Sequence, residues 1–341
     1  MANKMKAIVQ YKYGSPSEVL HLREIDKPVV GDDDVLVRVR AASVHPDVWH
    51  VVAGRPYLLR IMGAGFFKPK DTVPGTDMAG HVEAVGKNVT RFKAGEEVFG
   101  ETLAGMQWRN GGTFAEYVSV PQNVLALKPP NVSFAQAAAI PTSGFIALLN
   151  LRFGKLIQPG QRVLINGACG GVGSIALQLA KAYGAIVTGV DRTDKLEMVR
   201  SFGADHLIDY TKEDFTRLGQ RYDLIFDVAS NLSFWDCKRV LTPMGNYVLI
   251  GHDHFGKSAG RVFGSVPRML KLVALSVFVK NLPPADFSIP SKKESMEVLT
   301  AFLAAGKVTP IIDRTYPLDQ VPEAMRYMQE GNARGKIIIT P

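Results

Sequence analysis

The sequence predicts an α/β protein in which a doubly wound parallel sheet is inserted into a β-rich domain. Three observations lead there. Residues Arg162 to Tyr183 read as an apolar strand, a glycine turn and an amphipathic helix. Strand-like and helix-like segments then keep alternating as far as Ile250, the pattern of a parallel sheet with helical crossovers. Before residue 130 the chain instead carries short strand-like segments between Gly, Pro and Asp clusters, and after Gly251 the repeat stops.

In the head, the strand candidates are Lys6–Tyr11, Val35–Ala42, Gly80–Val85 and Phe114–Val120. In Val35–Arg40 valines alternate with Leu36, Arg38 and Arg40, the two-residue period of a strand with one wetter face. Val51–Lys70 is apolar and glycine-rich without a period, and reads as a loop overhanging a pocket. Past Lys128-Pro129-Pro130, Ser133 is an N-cap candidate for a helix that Pro141 interrupts, and a second helical stretch runs to Leu151. The alternating module follows: strand Arg162–Asn166, helix Val172–Tyr183, strand Ile186–Val190, helix Lys195–Phe202, strand His206–Ile208, strand Tyr222–Val228, helix Leu232–Leu241 and strand Asn246–Ile250. Val172, Ile175, Ala176 and Leu179 fall on one helical face, with Gln178 and Lys181 pointing away from it. Gly251–Pro290 shows no clear pattern; Lys292–Ala305 and Val321–Glu330 are amphipathic helices ended by Gly306 and Gly331, and Lys336–Ile339 closes the chain as a strand. The expected divisions are 1–128, 129–266 and 267–341, with head and tail forming one domain interrupted by the module.

Composition narrows the function classes. The 341 residues are 46% hydrophobic and 21% charged, an ordinary globular balance with room for two domains. The net charge of +8 comes from Lys and Arg scattered among acids, which fits a solvated basic surface and argues against a nucleic-acid partner. Cys169 and Cys237 cannot build a disulfide framework or a cysteine-based zinc site, and fit a reducing compartment. The most apolar late run, Met269–Val279, contains Lys271 and is shorter than the ~18–20 residues of a membrane span. The expectation is a cytoplasmic protein with no membrane anchor.

The chemistry is concentrated at Ile165-Asn166-Gly167-Ala168-Cys169-Gly170-Gly171-Val172-Gly173. A helix N-terminus offers unpaired N–H groups and a positive dipole end, and glycines let a pyrophosphate come close. Asp191 ends the next strand eighteen positions after Gly173, near the ~20 expected of an acid that holds a ribose hydroxyl. Ala168 stands where the first glycine of G-x-G-x-x-G belongs, which is tolerable if its φ is negative.

These features, with Gly75-Thr76-Asp77-Met78-Ala79-Gly80, Val82 to Gly86, Phe92–Gly100 and the ending Ala333-Arg334-Gly335-Lys336, resemble the medium-chain dehydrogenase/reductase superfamily, and within it the zinc-independent quinone oxidoreductase-like branch. The resemblance implies a GroES-like catalytic domain made from both ends of the chain, a central Rossmann domain, an active site in the cleft between them, and a homodimer. In zinc-dependent relatives the catalytic ligands fall at what correspond to His45, Thr76 and Ala139 or Ile140; this chain lacks that set, and His45 and His50 alone do not complete a three-ligand site. No metal is expected. Hydride delivery to an activated C=C then suits the chain better than alcohol chemistry, because charge spreads into a carbonyl that hydrogen-bond donors can stabilise.

The resemblance places Ser43–His50 beside the nicotinamide, making His45, Asp47 and His50 candidate polar groups, and sets Tyr57 near the tyrosine proton donor of enoyl reductases, one residue out of register. Water is the alternative donor, and packing or loop anchoring the alternative role of Tyr57. The cofactor set is Thr142, Gly170, Gly171, Val172, Gly173, Asp191, Arg192, Lys195, Tyr210, Ala229, Gly251 and Lys336. Asp191 favours NAD(H), whereas Arg192, Lys195 and Tyr210 suit a 2′-phosphate; the balance leans to NADP(H), with NAD(H) as the alternative. Lys336 reads as a phosphate ligand or a solvated strand residue, and Cys169 as filler or an oxidation-prone thiol under the pyrophosphate. The expected activity is zinc-independent NAD(P)H-dependent reduction of quinones or α,β-unsaturated carbonyls. The alternatives are a metal-free alcohol or aldehyde dehydrogenase and a cofactor-binding protein with a structural, signalling or RNA-binding role.

Overall fold

A computed structural model of the chain describes residues 4–103, 108–151, 157–251, 262–282 and 291–341. It divides into two units: Met1–Phe145 with Ser291–Gly306 and Pro310–Pro341, and Ile146–Pro290 with Lys307–Thr309.

The first unit begins with β1 (Lys4–Gln10), α1 (Pro16–Val19), β2 (Leu20–Asp26), β3 (Asp34–Val44), α2 (Pro46–Ala53), β4 (Asp77–Val85), β5 (Glu97–Glu101), β6 (Tyr117–Pro121), β7 (Leu125–Leu127), α3 (Phe134–Ala139) and the start of α4 (Pro141–Leu151). In the second unit β8 (Arg162–Asn166), α5 (Gly171–Ala182), β9 (Ile186–Asp191), α6 (Leu196–Ser201), β10 (His206–Asp209), β11 (Tyr222–Asp227), α7 (Phe234–Lys238), β12 (Leu241–Leu249) and α8 (Val266–Ser276) follow. The chain returns to the first unit with α9 (Lys292–Ala304), β13 (Ile312–Pro317), α10 (Val321–Gln329) and β14 (Lys336–Thr340).

Strand β3 organises the first unit. It pairs antiparallel with β4, β6 and β14, so the tail strand lies in the same sheet as the head. The sheet runs β13-β14-β3-β4-β5-β7, with β6 also on β3. In register, Ser43 stands opposite Asp77, which stands opposite Glu101, so three polar residues line up across β3, β4 and β5. The second unit is a parallel sheet in the order β10-β9-β8-β11-β12. Its central strands are apolar on both faces, as a sheet covered by helices requires: Val163, Leu164, Ile165, Ile225 and Phe226 are fully buried. Each such aliphatic side chain contributes about 1.5–3 kcal/mol of burial.

Several elements depart from the sequence reading. Val51–Ala53 is not loop but the end of α2, and Arg60–Ala64 forms a π-helical turn. The helix escapes a periodicity search because Val48 to Ala53 are all buried, so no polar face marks the turn; Gly54, at φ +60°, ends it. The helix expected over Leu232–Leu241 is only the short α7, with β12 starting at Leu241. β2, β5, β7 and β13 had no counterpart in the sequence reading, being short or heavily charged. Within Gly251–Pro290, α8 is a well-defined helix, and 252–261 and 283–290 lie outside the described residues.

Candidate active site

In the second unit, the glycine turn closes tightly at the head of α5. Gly167, at φ +86°, turns the chain, and a Cβ on Gly173 would collide with the carbonyl oxygen of Gly167. Ser230 is the one described non-glycine residue with positive φ, so Ala168 keeps the ordinary conformation its methyl needs. Cys169 is fully buried, which makes it a packing residue and not an exposed, oxidation-prone thiol. Its backbone N–H donates to Oδ2 of Asp191 at 2.8 Å, and the N–H of Arg192 donates to Oδ1 at 2.9 Å. Asp191 thereby fixes the turn to the end of β9.

β10 brings Asp209 into register beside Asp191, and the Tyr210 N–H donates to the Asp191 carbonyl, leaving its ring 49% exposed. Arg192 pairs with Asp194 at 2.7 Å, and Lys195 is buried. Asp191, Arg192, Lys195 and Tyr210 are thus gathered at two neighbouring strand ends. Asp209 accepts hydrogen bonds from the hydroxyls of Thr193 and Thr211, and these donors hold its carboxyl well below the usual range.

At the ends of β11 and β12, the N–H of Ala229 donates to the Asn166 carbonyl and that of Gly251 to the Asp227 carbonyl; a side chain at Gly251 would run into the Val228 carbonyl. Buried Asp227 accepts from Tyr247 Oη at 2.7 Å, Asn166 Nδ2 at 2.8 Å and the Ser230 N–H at 2.8 Å. Burial raises its pKa against the pull of these donors. Arg268 on α8 donates to the Ser230 carbonyl at 2.8 Å and the Leu232 carbonyl at 2.7 Å, holding the turn in which Ser230 takes φ +57°.

The first unit holds a buried polar cluster. His45 shares a 2.7 Å hydrogen bond between Nε2 and Thr76 Oγ1, and its Nδ1 lies 3.8 Å from Asp47. Burial pushes the imidazole's pKa down, against the pull of Asp77 and Asp47. Asp77, fully buried, accepts from Thr142 Oγ1 at 2.6 Å and Ser43 Oγ at 3.1 Å. Lys336 is neither solvated nor directed outward: it is 3% exposed and donates to Ser143 Oγ at 3.1 Å, and burial lowers its pKa. Glu101 and Lys292, which no motif marked, form an ion pair at 2.7 Å. His50 bonds the Arg55 carbonyl at 2.8 Å and packs edge-on against Trp49 and Trp108. Tyr57 is 40% exposed, with the Arg60 guanidinium 4.5 Å over its ring.

Residues 31–130 match a family model described as the alcohol dehydrogenase GroES-like domain, and residues 202–339 one described as zinc-binding dehydrogenase. Over 99% of its length the chain is 34% identical to an NADPH-dependent alkenal/one oxidoreductase, chloroplastic, of Arabidopsis thaliana and 33% identical to a 2-methylene-furan-3-one reductase of Solanum lycopersicum, covering 80% of each. The chain belongs to the medium-chain dehydrogenase/reductase superfamily. The quinone oxidoreductase of Pseudomonas syringae pv. Tomato DC3000 superposes with a TM-score of 0.79 at 26% identity, covering 99% of this chain and 100% of that one, which agrees with the quinone oxidoreductase-like branch. As a member of that branch the protein is an oxidoreductase.

One family description names zinc, but the residues present here do not fit it. Thr76 stands beside His45 as a hydroxyl partner, and among the described residues no group of three or more His, Cys, Asp or Glu could hold a metal ion. The dinucleotide fits better, because the turn before α5 leaves no room for side chains and the first-turn N–H groups face its N-terminal end. Sequence reasoning missed Asp209, Asp227, Arg268, Glu101 and Lys292. Asp227 and Asp209 were detectable as acids at predicted strand ends; nothing in the sequence joins Glu101 to Lys292.

Proposed function

We propose that the protein transfers hydride from NADPH to the activated C=C of α,β-unsaturated carbonyls and to quinones. The observation that carries this is the closed glycine turn with Asp191, Arg192, Lys195 and Tyr210 at adjoining strand ends, in a chain 34% identical to an NADPH-dependent alkenal/one oxidoreductase.

The N–H groups of Gly171, Val172 and Gly173, opened by Gly170 as N-cap, hold the pyrophosphate at the positive end of α5. Asp191 keeps lone pairs for a ribose hydroxyl beyond the two N–H groups it already accepts. Arg192, Lys195 and Tyr210 supply the charge and hydroxyl that suit a 2′-phosphate, with NAD(H) as the competing cofactor. Ala229 and Gly251 present small residues past the strand ends, where the cofactor needs close approach to the backbone. Bound NADPH supplies the hydride. Thr142 is oriented by Asp77, and Lys336 steadies Ser143 beside it, so both shape the start of α4. His45, held by Thr76 and close to Asp47, is a fixed polar wall; His50 anchors the turn at Arg55, and Tyr57 offers an accessible phenol. Because the residues do not fit a metal, charge developing on the substrate's oxygen falls to protein donors.

The test is NADPH consumption with butenone, 1,4-benzoquinone and saturated butanone, repeated with NADH. The expected result is turnover of the first two, none of butanone, and higher kcat/KM for NADPH; turnover of butanone alone would favour a metal-free alcohol dehydrogenase. We also propose a homodimer, tested by sedimentation, and a cytoplasmic location, tested by fractionation. No described helix is long and apolar enough to cross a membrane.

A further inference from the structure

In the first unit, β5 ends on Glu101, whose partner across the ladder is Asp77 on β4. Directly paired residues in an antiparallel sheet share a face, so two carboxylates stand side by side. Asp77 is occupied by Thr142 and Ser43. Glu101 is held by Lys292, in the first turn of α9, whose ammonium lies 2.7 Å from Oε1, donates to the Leu103 carbonyl at 2.6 Å, and sits 5.6 Å from the Phe145 ring centre. The two side chains are only 14% and 11% exposed. Together with Pro141, Phe145, Ser295 and Met296 they line a cavity of about 10 Å³, space for one water or one carbonyl oxygen. Pro141 and Phe145 lie on either side of Thr142 in the sequence of α4, so the cavity adjoins the Asp77–Thr142 bond.

Two neighbouring carboxylates in a dry site cannot both ionise without cost. The charges around Glu101 are Lys292 from α9, Asp77 from β4 and Asp47 from α2, with His45 and Lys336 completing the cluster around Asp77. Burial pushes the Glu101 carboxyl up to about 7, Asp77 and Asp47 push the same way, and Lys292 opposes them. Glu101 therefore exchanges a proton near neutrality, while burial drives the His45 imidazole towards its neutral form.

We propose that Glu101, with Lys292 as its counter-ion, receives the substrate's carbonyl oxygen and supplies the proton that completes the reduction. This rests on the hydride-transfer reading above. Hydride adds with its electron pair to the β-carbon, the C=C π pair moves into the conjugated carbonyl, and the oxygen becomes an enolate. The Glu101 carboxyl gives that oxygen its proton; the resulting enol tautomerises to the saturated ketone. For a quinone the same proton completes the hydroquinone. The carboxylate left behind is stabilised by Lys292 and takes a proton from solvent before the next turnover.

The test is the pH dependence of kcat with saturating NADPH and butenone, for wild type, Glu101→Gln and Lys292→Met. Wild type should lose activity as pH rises through about 7, because the proton donor is then ionised. Glu101→Gln should lower kcat at pH 6 by roughly 100-fold, abolish the alkaline limb, and leave KM for NADPH within about twofold. Lys292→Met removes the cation that favours the carboxylate, so its limb should move to higher pH, a shift that a purely structural ion pair would not produce. If Glu101→Gln does not fold, Glu101→Asp and Lys292→Met still report the limb. Wild-type turnover with an unchanged limb in Glu101→Gln, or an unmoved limb in Lys292→Met, overturns the assignment alone. A wild type that consumes NADPH with no enone or quinone overturns the hydride-transfer reading and this assignment with it.

Discussion

Gly173→Ala probes how tightly the turn before α5 is built. The added Cβ would meet the Gly167 carbonyl oxygen and lie 3.0 Å from the Ala168 Cα, both backbone atoms that cannot rotate away. Overpacking of this kind costs about 1–3 kcal/mol. If the turn yields instead, one N–H bond to the pyrophosphate is weakened; at about 1.5 kcal/mol for a charge-assisted bond, NADPH binds roughly tenfold more weakly. Gly170 is the internal control. Its φ is −70°, and a Cβ there has nothing nearer than the Gly167 oxygen at 3.4 Å. Gly170→Ala should therefore cost under about 1 kcal/mol, the small preference of an N-cap for glycine over alanine. Urea unfolding without cofactor gives the stability difference, and fluorescence titration gives the NADPH Kd. A Gly173→Ala protein as stable as Gly170→Ala, with an unchanged Kd, would refute the packing argument.

Arg192→Ala should reduce kcat/KM for NADPH about tenfold, one charge-assisted bond, while leaving NADH nearly unaffected; equal losses with both cofactors would place Arg192 away from the 2′-phosphate. Thr142→Val keeps the shape but removes the 2.6 Å donor to buried Asp77, so calorimetry should show a loss of about 1.5–3 kcal/mol. Asp209 has a depressed pKa in the folded protein, so the stability it adds is present above its unfolded pKa of about 4 and fades as pH falls below that value. Asp209→Asn should then flatten the acid arm of the unfolding curve, and an unaltered arm would count against the hydroxyl cage. Cys237, with its thiol pushed up to about 12 by burial, should resist alkylation at pH 8 in the native protein and react on unfolding.

The parts of the site legible in the sequence were those whose signal is local. The glycine turn, the helix that follows and Asp191 lie within 25 residues, and a strand, turn and helix state their roles through spacing alone. Tyr210 was readable because it follows a strand end, and the structure sets it beside Asp191. Lys336 was misjudged as solvated or phosphate-bound because a strand pattern does not report what covers a strand's end; here Ser143, 193 positions earlier, receives the ammonium. Glu101 and Lys292 were invisible for the same reason, being brought together only by the return of α9 to the head's unit. The end of α2 was hidden differently: burial on all sides erases the polar face by which a helix is recognised.

The most direct test of the account is the fate of a deuterium label. Enzyme, butenone and NADPH carrying deuterium at the transferred C4 position would be incubated together and the product examined by mass spectrometry and NMR. Hydride delivery to the activated C=C predicts butanone with the label on the former β-carbon. Deuterium on the carbinol carbon of but-3-en-2-ol, or an unlabelled product, would contradict it.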